Sequence, residues 1–362
     1  MSEIIQNRIE KLRKSIRDSR SAILITDEIN VGFFSGFNRS EGAYLLTQDK
    51  SYLLVDFRYY EAALSKAVSC DVICFKNFTC DISDILLKCE INSLFTESNN
   101  LTVSTFNRYK RAFEAKKITL ICDDSIDKAV ADIRIIKDET EFDKILTAQK
   151  IAEKSYLEVL NYLKVGVRER EIALELEYLM KKNGAENVSF DLITITGSKT
   201  SLPHGVPSDN SVQKGDLFTF DFGAVYDGYH SDTTRSVAIG EPSDEQRKVY
   251  DIVLKAQLAV LENIKAGMLC SDADKIARDI ISAEGYGEFF GHSTGHGVGL
   301  EIHEAPTVSS KSKTILQQGM VVTDEPGIYL PKKFGVRIED MIYITQTGYK
   351  NFVTLPKELI VL

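Results

Sequence analysis

Apolar residues recur at helical spacing at the start of the chain. Ile5, Ile9, Leu12 and Ile16 share one face, against Glu3, Arg8, Glu10, Lys11, Arg13, Lys14, Arg17, Asp18 and Arg20. This spacing predicts an amphipathic surface helix. The pattern then shortens to apolar runs at 22–26, 44–47 and 52–55, with Gln48-Asp49-Lys50 as a turn between the last two. Such runs read as strands. Helices are predicted at 59–68 and 82–89, with a further strand at 71–75 between them. The mixture predicts a small α/β domain over residues 1–131, with no catalytic constellation in it.

A second domain is predicted over 137–362. The polar stretch Lys137-Asp-Glu-Thr-Glu141 opens a strong helical pattern. Phe142, Ile145, Leu146, Ala152, Tyr156, Val159, Leu160 and Leu163 lie on one face, and Gly166 stops it. Another helix is predicted over 169–182, ending at Gly184. Ser243-Asp-Glu-Gln246 and Ser271-Asp-Ala-Asp274 read as capping boxes of two more helices, which end before Gly267 and Gly285. Strands fall between and after them.

Composition narrows the function classes. A length of 362 residues suggests two domains. Hydrophobic residues at 43% and charged residues at 27% are ordinary for a globular protein. The net charge of −9 disfavours nucleic acid and anionic membranes as partners, since both need clustered Lys and Arg. No apolar run approaches the ~20 residues of a membrane span. The charged first twenty residues lack the uninterrupted apolar stretch of a signal peptide, so a cytoplasmic location is expected. Five of the six cysteines (Cys70, Cys74, Cys80, Cys89, Cys122 and Cys270) fall within residues 1–131. They lack Cys-x-x-Cys spacing, no histidine precedes His204, and reduced thiols are expected rather than a zinc site.

The candidate chemistry lies in the second domain. In Leu217-Phe-Thr-Phe-Asp-Phe-Gly223, strand alternation puts Leu217, Thr219 and Asp221 on one face and three phenylalanines on the other. Asp227-Gly228 is a hairpin turn signal, and the return strand over 231–239 would bring Asp232 diagonally opposite Asp221. A similar arrangement recurs later. A strand over 320–326 carries Glu325, Phe334-Gly335 is expected in a loop, and a strand over 336–344 puts Arg337, Glu339 and Met341 on one face. Four inward carboxylates would repel one another and cost several kcal/mol each to desolvate, for which bound cations are the natural compensation. All five histidines (His204, His230, His292, His296 and His303) lie in this domain, three of them in Gly291-His-Ser-Thr-Gly-His-Gly-Val-Gly-Leu-Glu-Ile-His303. One histidine with carboxylates suits manganese, cobalt, iron or zinc better than copper.

These stretches, together with Leu202-Pro-His-Gly205, Ser231-Asp-Thr-Thr-Arg235, Glu325-Pro-Gly-Ile-Tyr329 and Gly335-Val-Arg-Ile-Glu-Asp340, resemble the pita-bread metallopeptidases. That family includes proline dipeptidase, Xaa-Pro aminopeptidase and methionine aminopeptidase. Phe33-Phe-Ser-Gly-Phe37 and Asp56-Phe-Arg-Tyr-Tyr60 are similar to the creatinase/prolidase N-terminal domain. The resemblance implies an α/β (α+β) chain with a creatinase/prolidase-like domain followed by a pita-bread catalytic domain, a curved antiparallel sheet covered by helices. It implies two divalent metal ions, manganese foremost, with cobalt, zinc and iron as alternatives.

The resemblance also distributes roles. Asp221 matches a bidentate ligand of one metal, Asp232 and Glu339 the bridging carboxylates, and His296 and Glu325 the ligands of the other. Glu325 also matches the proton shuttle, and His204 and His303 the residues that position substrate and stabilise the oxyanion. His292 matches an outer substrate-binding histidine and Arg337 an arginine near the substrate. His230 falls outside the pattern and reads as a non-ligand. Asp324 departs from the family's aliphatic residue, and alternation points it to the opposite face. Arg235 reads as structural.

The implied activity is Xaa-Pro aminopeptidase, with Xaa-Pro dipeptidase as the alternative and a non-catalytic binding protein as a third reading. The implied partners are small Xaa-Pro peptides and a second copy of the chain in a homodimer. Methionine aminopeptidase is disfavoured because it generally lacks the creatinase-like domain. Gly291-His-Ser-Thr-Gly295 also fits the Gly-x-Ser-x-Gly elbow of serine hydrolases, but no acid followed by a histidine lies downstream of Ser293 in the required order. No Gly-x-Gly-x-x-Gly follows a strand, which excludes a dinucleotide fold.

Overall fold

Near-continuous apolar runs in the N-terminal part become interior strands of one sheet, where both faces are covered. The computed structural model describes residues 2–38 and 41–362, divided into units Met1–Arg134 and Ile135–Leu362. In the first unit, strands β1 (Ser21–Ile25), β2 (Gly42–Leu46), β3 (Ser51–Val55), β4 (Asp71–Cys74), β5 (Ser93–Thr96) and β6 (Thr119–Cys122) form a sheet of order β4-β3-β2-β1-β5-β6. The β1–β2 and β2–β3 pairs are antiparallel and the others parallel. Helices α1 (Ser2–Arg13), α2 (Glu28–Ser35), α3 (Phe57–Lys66), α4 (Phe78–Lys88), α5 (Val103–Glu114) and α6 (Ser125–Arg134) complete it. α1 buries Ile5, Ile9 and Leu12, as its spacing predicts. α2 carries Phe33 and Phe34 and is buried nearly all round, so it shows no amphipathic period in the sequence. All six cysteines are free.

The second unit opens with α7 (Glu139–Val159), whose Asp138 and Glu141 form a reciprocal capping box, and α8 (Glu169–Lys182). α9 (Asp244–Asn263) starts at the predicted Ser243–Gln246 box. α10 (Cys270–Ala283) does not start at the predicted one. Its N-cap is Leu269, with no side-chain cap, and Asp274 instead accepts from the Thr294 backbone N–H, the Thr294 hydroxyl and Arg278. A tertiary partner outcompeted a local one for that carboxylate. Among the described residues no helix is long and apolar enough to cross a membrane.

The strands between the helices hold the site. β7 (Asn187–Val188), β10 (Ala224–Tyr226) and β11 (Tyr229–His230) form a small sheet. β8 (Ile193–Thr196), β9 (Leu217–Phe222), β12 (Thr233–Ala238) and β20 (Ile360–Val361) form a second, antiparallel except for β12–β20. β13 (Gly295–Gly297), β14 (Glu304–Val308), β15 (Val321–Asp324), β18 (Asp340–Ile344) and β19 (Tyr349–Asn351) form a third, and β16 (Gly327–Leu330) pairs with β17 (Phe334–Arg337). Phe218, Phe220 and Phe222 pack with Tyr156 of α7 and Leu176 of α8, so one face of β9 is spent on the core. The Glu339 N–H donates to Thr234 O at 3.1 Å, which joins the third sheet to β12.

Two expectations for the later hairpin need correction. Phe334-Gly335 is not in a loop but in β17, paired with Tyr329 and Leu330. The strand expected over 336–344 is interrupted at Ile338-Glu339, where the chain leaves β16 for β15 as its partner. A change of partner leaves no mark on alternation, because both segments remain buried.

The earlier hairpin breaks in the same way at Gly223, between β9 and β10. A Cβ there would lie 1.8 Å from Ser231 O, so only glycine allows the crossing. Gly223→Ala should therefore cost ~1–3 kcal/mol of stability. Urea unfolding checks this, and an unchanged midpoint would show that the crossing relaxes freely.

Candidate metal centre

Two interrupted hairpins and one glycine-rich strand deliver the candidate ligands. Asp221 pairs with Thr234 in the β9–β12 register, and Asp232 lies two residues before Thr234, which makes it the diagonal neighbour of Asp221. Glu325 follows the end of β15 and donates its N–H to Thr294 O at 2.8 Å. Glu339 sits in the break between β17 and β18. His296 is the middle residue of β13, and its N–H donates to Thr323 Oγ1 at 3.1 Å. β13 runs so close to its neighbours that a Cβ on Gly295 would lie 2.0 Å from Thr323 O, and one on Gly297 2.2 Å from Ala305 O. The glycines of the histidine run are thus what admits His296 between β14 and β15.

Ligand atoms of Asp232, His296 and Glu339 lie within 4.8 Å of one another. His296 Nε2 is 3.5 Å from Asp232 Oδ2 and 3.6 Å from Glu325 Oε1. Asp221 stands at the edge of this group, with Arg337 2.5 Å from its Oδ2 and its buried Oδ1 without any partner. Burial pushes the Asp232 carboxyl well above its ordinary range, and Glu339 and Asp221 push it further. Glu339 is raised in the same way by burial, then by Glu325 and Asp221. Burial raises Glu325 to about 8 despite the nearby Arg337 guanidinium. Burial lowers His296 to about 4, so its ring is neutral. With Nδ1 against Gly297 O at 3.1 Å, the Nε2 lone pair faces the carboxylates.

An unpaired buried oxygen, a neutral imidazole turned on two carboxylates and three carboxyls driven toward protonation share one remedy, a cation. The donor set is oxygen-rich with a single nitrogen, which fits divalent ions of the manganese, iron, cobalt and zinc group.

The surrounding shell is ordered. Arg337 donates to Thr234 Oγ1 and Tyr329 OH, each at 2.9 Å, and to Pro203 O at 3.3 Å, besides Asp221. His292 Nε2 lies 2.8 Å from Tyr329 OH, and burial with the Arg337 charge lowers the His292 pKa to about 4. Thr234 donates its hydroxyl to Glu339 Oε2 at 2.7 Å. Buried Arg235 bonds Asp340 at 2.8 Å and the carbonyls of Glu339, Leu355 and Pro356, a structural role.

Tyr329 and Thr234 stand inside stretches that the sequence singles out, yet nothing in their spacing marks them as supports. Thr323, which orients the His296 backbone, carried no sequence signal. Met341, expected on the face of Arg337 and Glu339, is instead buried in the core that includes α7.

His204, Asp221, Asp232, His292, His296, His303, Glu325, Arg337 and Glu339 all line one pocket of about 1220 Å³. Phe190, Leu192, Ile302 and Pro306 supply apolar wall. His303 packs edge-on against His296, with ring centroids 4.3 Å apart. His230 and Asp324 do not line it. Asp324 is paired across the sheet with Asp340, fully buried, and neither of its oxygens has a hydrogen-bond partner. Ser293 does line the pocket, but the residues after it form strand β13 rather than the helix of a serine-hydrolase elbow.

Comparison with known proteins agrees with this arrangement. Residues 143–346 match the model of metallopeptidase family M24, and residues 8–136 match the creatinase/prolidase N-terminal domain. An Xaa-Pro dipeptidase of Pyrococcus furiosus is 41% identical over 358 residues, covering 98% of this chain and 100% of that protein. The structure of an Xaa-Pro dipeptidase from Bacillus anthracis superposes with a TM-score of 0.95 at 40% identity, covering 99% of this chain and 100% of that one. An X-Pro aminopeptidase from Thermotoga maritima superposes at 0.91 with 38% identity, over 97% of this chain and 100% of that one. The chain belongs to metallopeptidase family M24, with a creatinase/prolidase N-terminal domain ahead of its pita-bread peptidase domain.

Proposed function

We propose that this enzyme hydrolyses the bond between an N-terminal residue and proline in dipeptides, as an Xaa-Pro dipeptidase. The observation that carries a peptidase reading is the convergence of Asp221, Asp232, His296, Glu325 and Glu339 on the floor of one pocket. The dipeptide form, set above as the alternative to aminopeptidase, is favoured by the relatives that carry that name in Pyrococcus furiosus and Bacillus anthracis. The same reading takes small Xaa-Pro peptides as substrates, a homodimer as the working assembly and a cytoplasmic setting.

The residues divide the work. Asp221, Asp232, His296, Glu325 and Glu339 would hold two divalent ions, manganese foremost. Ions held there supply Lewis acidity to water and to the scissile carbonyl. Glu325, set at the edge of the metal site and kept in its charged form by a bound cation, would be the group to take a proton from the attacking water and deliver it to the departing proline nitrogen. His204 and His303, on the pocket wall, orient the substrate and donate to the carbonyl oxygen as negative charge develops. His292, held neutral against Tyr329, shapes the outer pocket. Arg337 has hydrogen-bond partners on every nitrogen, so its role is to fix Asp221 and Tyr329 rather than to bind substrate directly.

The purified protein with added manganese should cleave Ala-Pro and leave Ala-Pro-Ala-Ala intact, and chelation should abolish turnover. Release of alanine from the tetrapeptide at a comparable rate would instead establish the aminopeptidase. Glu325→Gln should lower kcat on Ala-Pro by ~10²–10⁴-fold. An unaltered kcat would remove Glu325 from proton transfer.

Metal binding should also be linked to pH. The raised carboxyls of Asp232, Glu325 and Glu339 hold protons in the metal-free protein, whereas a bound cation favours their charged forms. Manganese binding near neutral pH should therefore release protons, and affinity should weaken as pH falls below the Glu325 value of about 8. Calorimetry in buffers of different ionisation enthalpy reads this directly, and binding without proton release would contradict the assigned ligands.

A further inference from the structure

His204 lies in a stretch with no regular secondary structure, between a short 3-10 turn at Gly197–Ser201 and the bridge at Ser211. Five consecutive residues of that stretch, Pro203 to Pro207, line the pocket, and His204 and Val206 are exposed. An irregular loop is held in place by whatever ties down its two limbs. The first limb is tied by Arg337, which donates to Pro203 O, and by Thr200 Oγ1, which accepts the Gly335 N–H at 2.9 Å. The returning limb has neither contact.

The returning limb is tied to the start of α8, where the Arg170 N–H donates to Ser208 O at 3.1 Å and the Glu169 N–H to Asn210 O at 3.0 Å, and where the fully buried side chain of Glu169, the first residue of α8, adds its own contacts. Its carboxylate does not cap its own helix. Oε1 accepts the Thr196 N–H at 2.9 Å, just before the 3-10 turn that leads into the loop. Oε2 accepts the Ser208 N–H at 2.8 Å and the Ser208 hydroxyl at 2.7 Å, just after it. Oε2 also pairs with Lys199 Nζ at 2.8 Å, and that ammonium donates in turn to Val206 O across the loop. One buried carboxylate thus clasps the loop at its entry, its exit and, through Lys199, its middle. A buried carboxylate that accepts from four donors is a rigid anchor. Glu169 itself does not line the pocket.

We infer that Glu169 is a positioning residue, which through Lys199 and Ser208 sets the loop that presents His204 to the metal centre. The inference rests on the substrate-orienting role proposed for His204. Glutamine at this position keeps the size but cannot accept all four bonds and leaves Lys199 without a counter-charge.

The test uses the full-length, manganese-loaded protein. In Glu169→Gln, amide hydrogen exchange over residues 203–208 should accelerate about tenfold or more, while metal content stays that of the wild type. On Ala-Pro, kcat should fall ~10–100-fold, the scale of a misplaced catalytic group. In a His204→Ala background the same substitution should cost less than about twofold more, because the two act as one unit. Ser208→Ala and Lys199→Met, which remove single clasps, should show the same signs at smaller size. They decide the matter if Glu169→Gln does not fold. Wild-type exchange and kcat in these variants, or an equal loss with and without His204, would overturn the inference. Failure of the wild type to cleave Ala-Pro would instead strike the proposed function, and the exchange measurement would still decide whether Glu169 holds the loop.

Discussion

Mutual repulsion among buried carboxylates is the constraint on which this structure turns. Asp232 and Glu339 are nearly inaccessible, Glu325 and Asp221 adjoin them, and one neutral histidine shares their space. In a medium of low polarity such a group is unstable as an anion cluster and would take up protons. Arg337 is the guanidinium set among the candidate ligands, and of these it meets Asp221 by direct contact. The remaining charge demands cations, so the fold behaves as a scaffold that stores an unfavourable arrangement until ions complete it.

Holding that arrangement requires the strands to break at chosen points. Each hairpin changes sheet beside a candidate ligand, at Gly223 two residues after Asp221 and at Ile338-Glu339. The breaks turn side chains away from the plain alternation of a continuous strand and let ligands from separate sheets meet. The aromatic side of β9, packed on α7 and α8, supplies the apolar burial that offsets the cost. Arg235 and Thr234 then bind the backbone and side chain of Glu339 from β12, so the two hairpins are fixed to each other as well as to their own helices.

The candidate metal ligands sit on or next to strands, whereas His204, His292 and His303 come from loops. That division suits their tasks. Ligands must keep one geometry, and residues that meet substrate must accept and release it. The loop histidines are consequently only as well placed as the buried polar contacts beneath them, of which the Glu169 clasp is one.

Much of this was legible in the sequence for physical reasons. Period-2 alternation in Leu217–Phe222 separates core from site, because a strand can bury only one face on α7. Asp227-Gly228 fixes the turn, since both residues adopt positive φ there. Together they determine that Asp221 and Asp232 are diagonal neighbours. The helical stripe of α7 and the capping box of α9 follow from spacing alone.

The sequence could not determine which partner each segment would choose. Asp274 left its helix start for Thr294 and Arg278, Phe334-Gly335 joined a strand, and Met341 entered the core. It could not show that Tyr329 links His292 to Arg337, nor that Glu169 reaches across to the loop after β8. Local patterns specify which face of an element is apolar and where it turns. The contacts that tune a site join residues tens to over a hundred positions apart, and only the packed chain decides which of several chemically equivalent donors and acceptors come within reach.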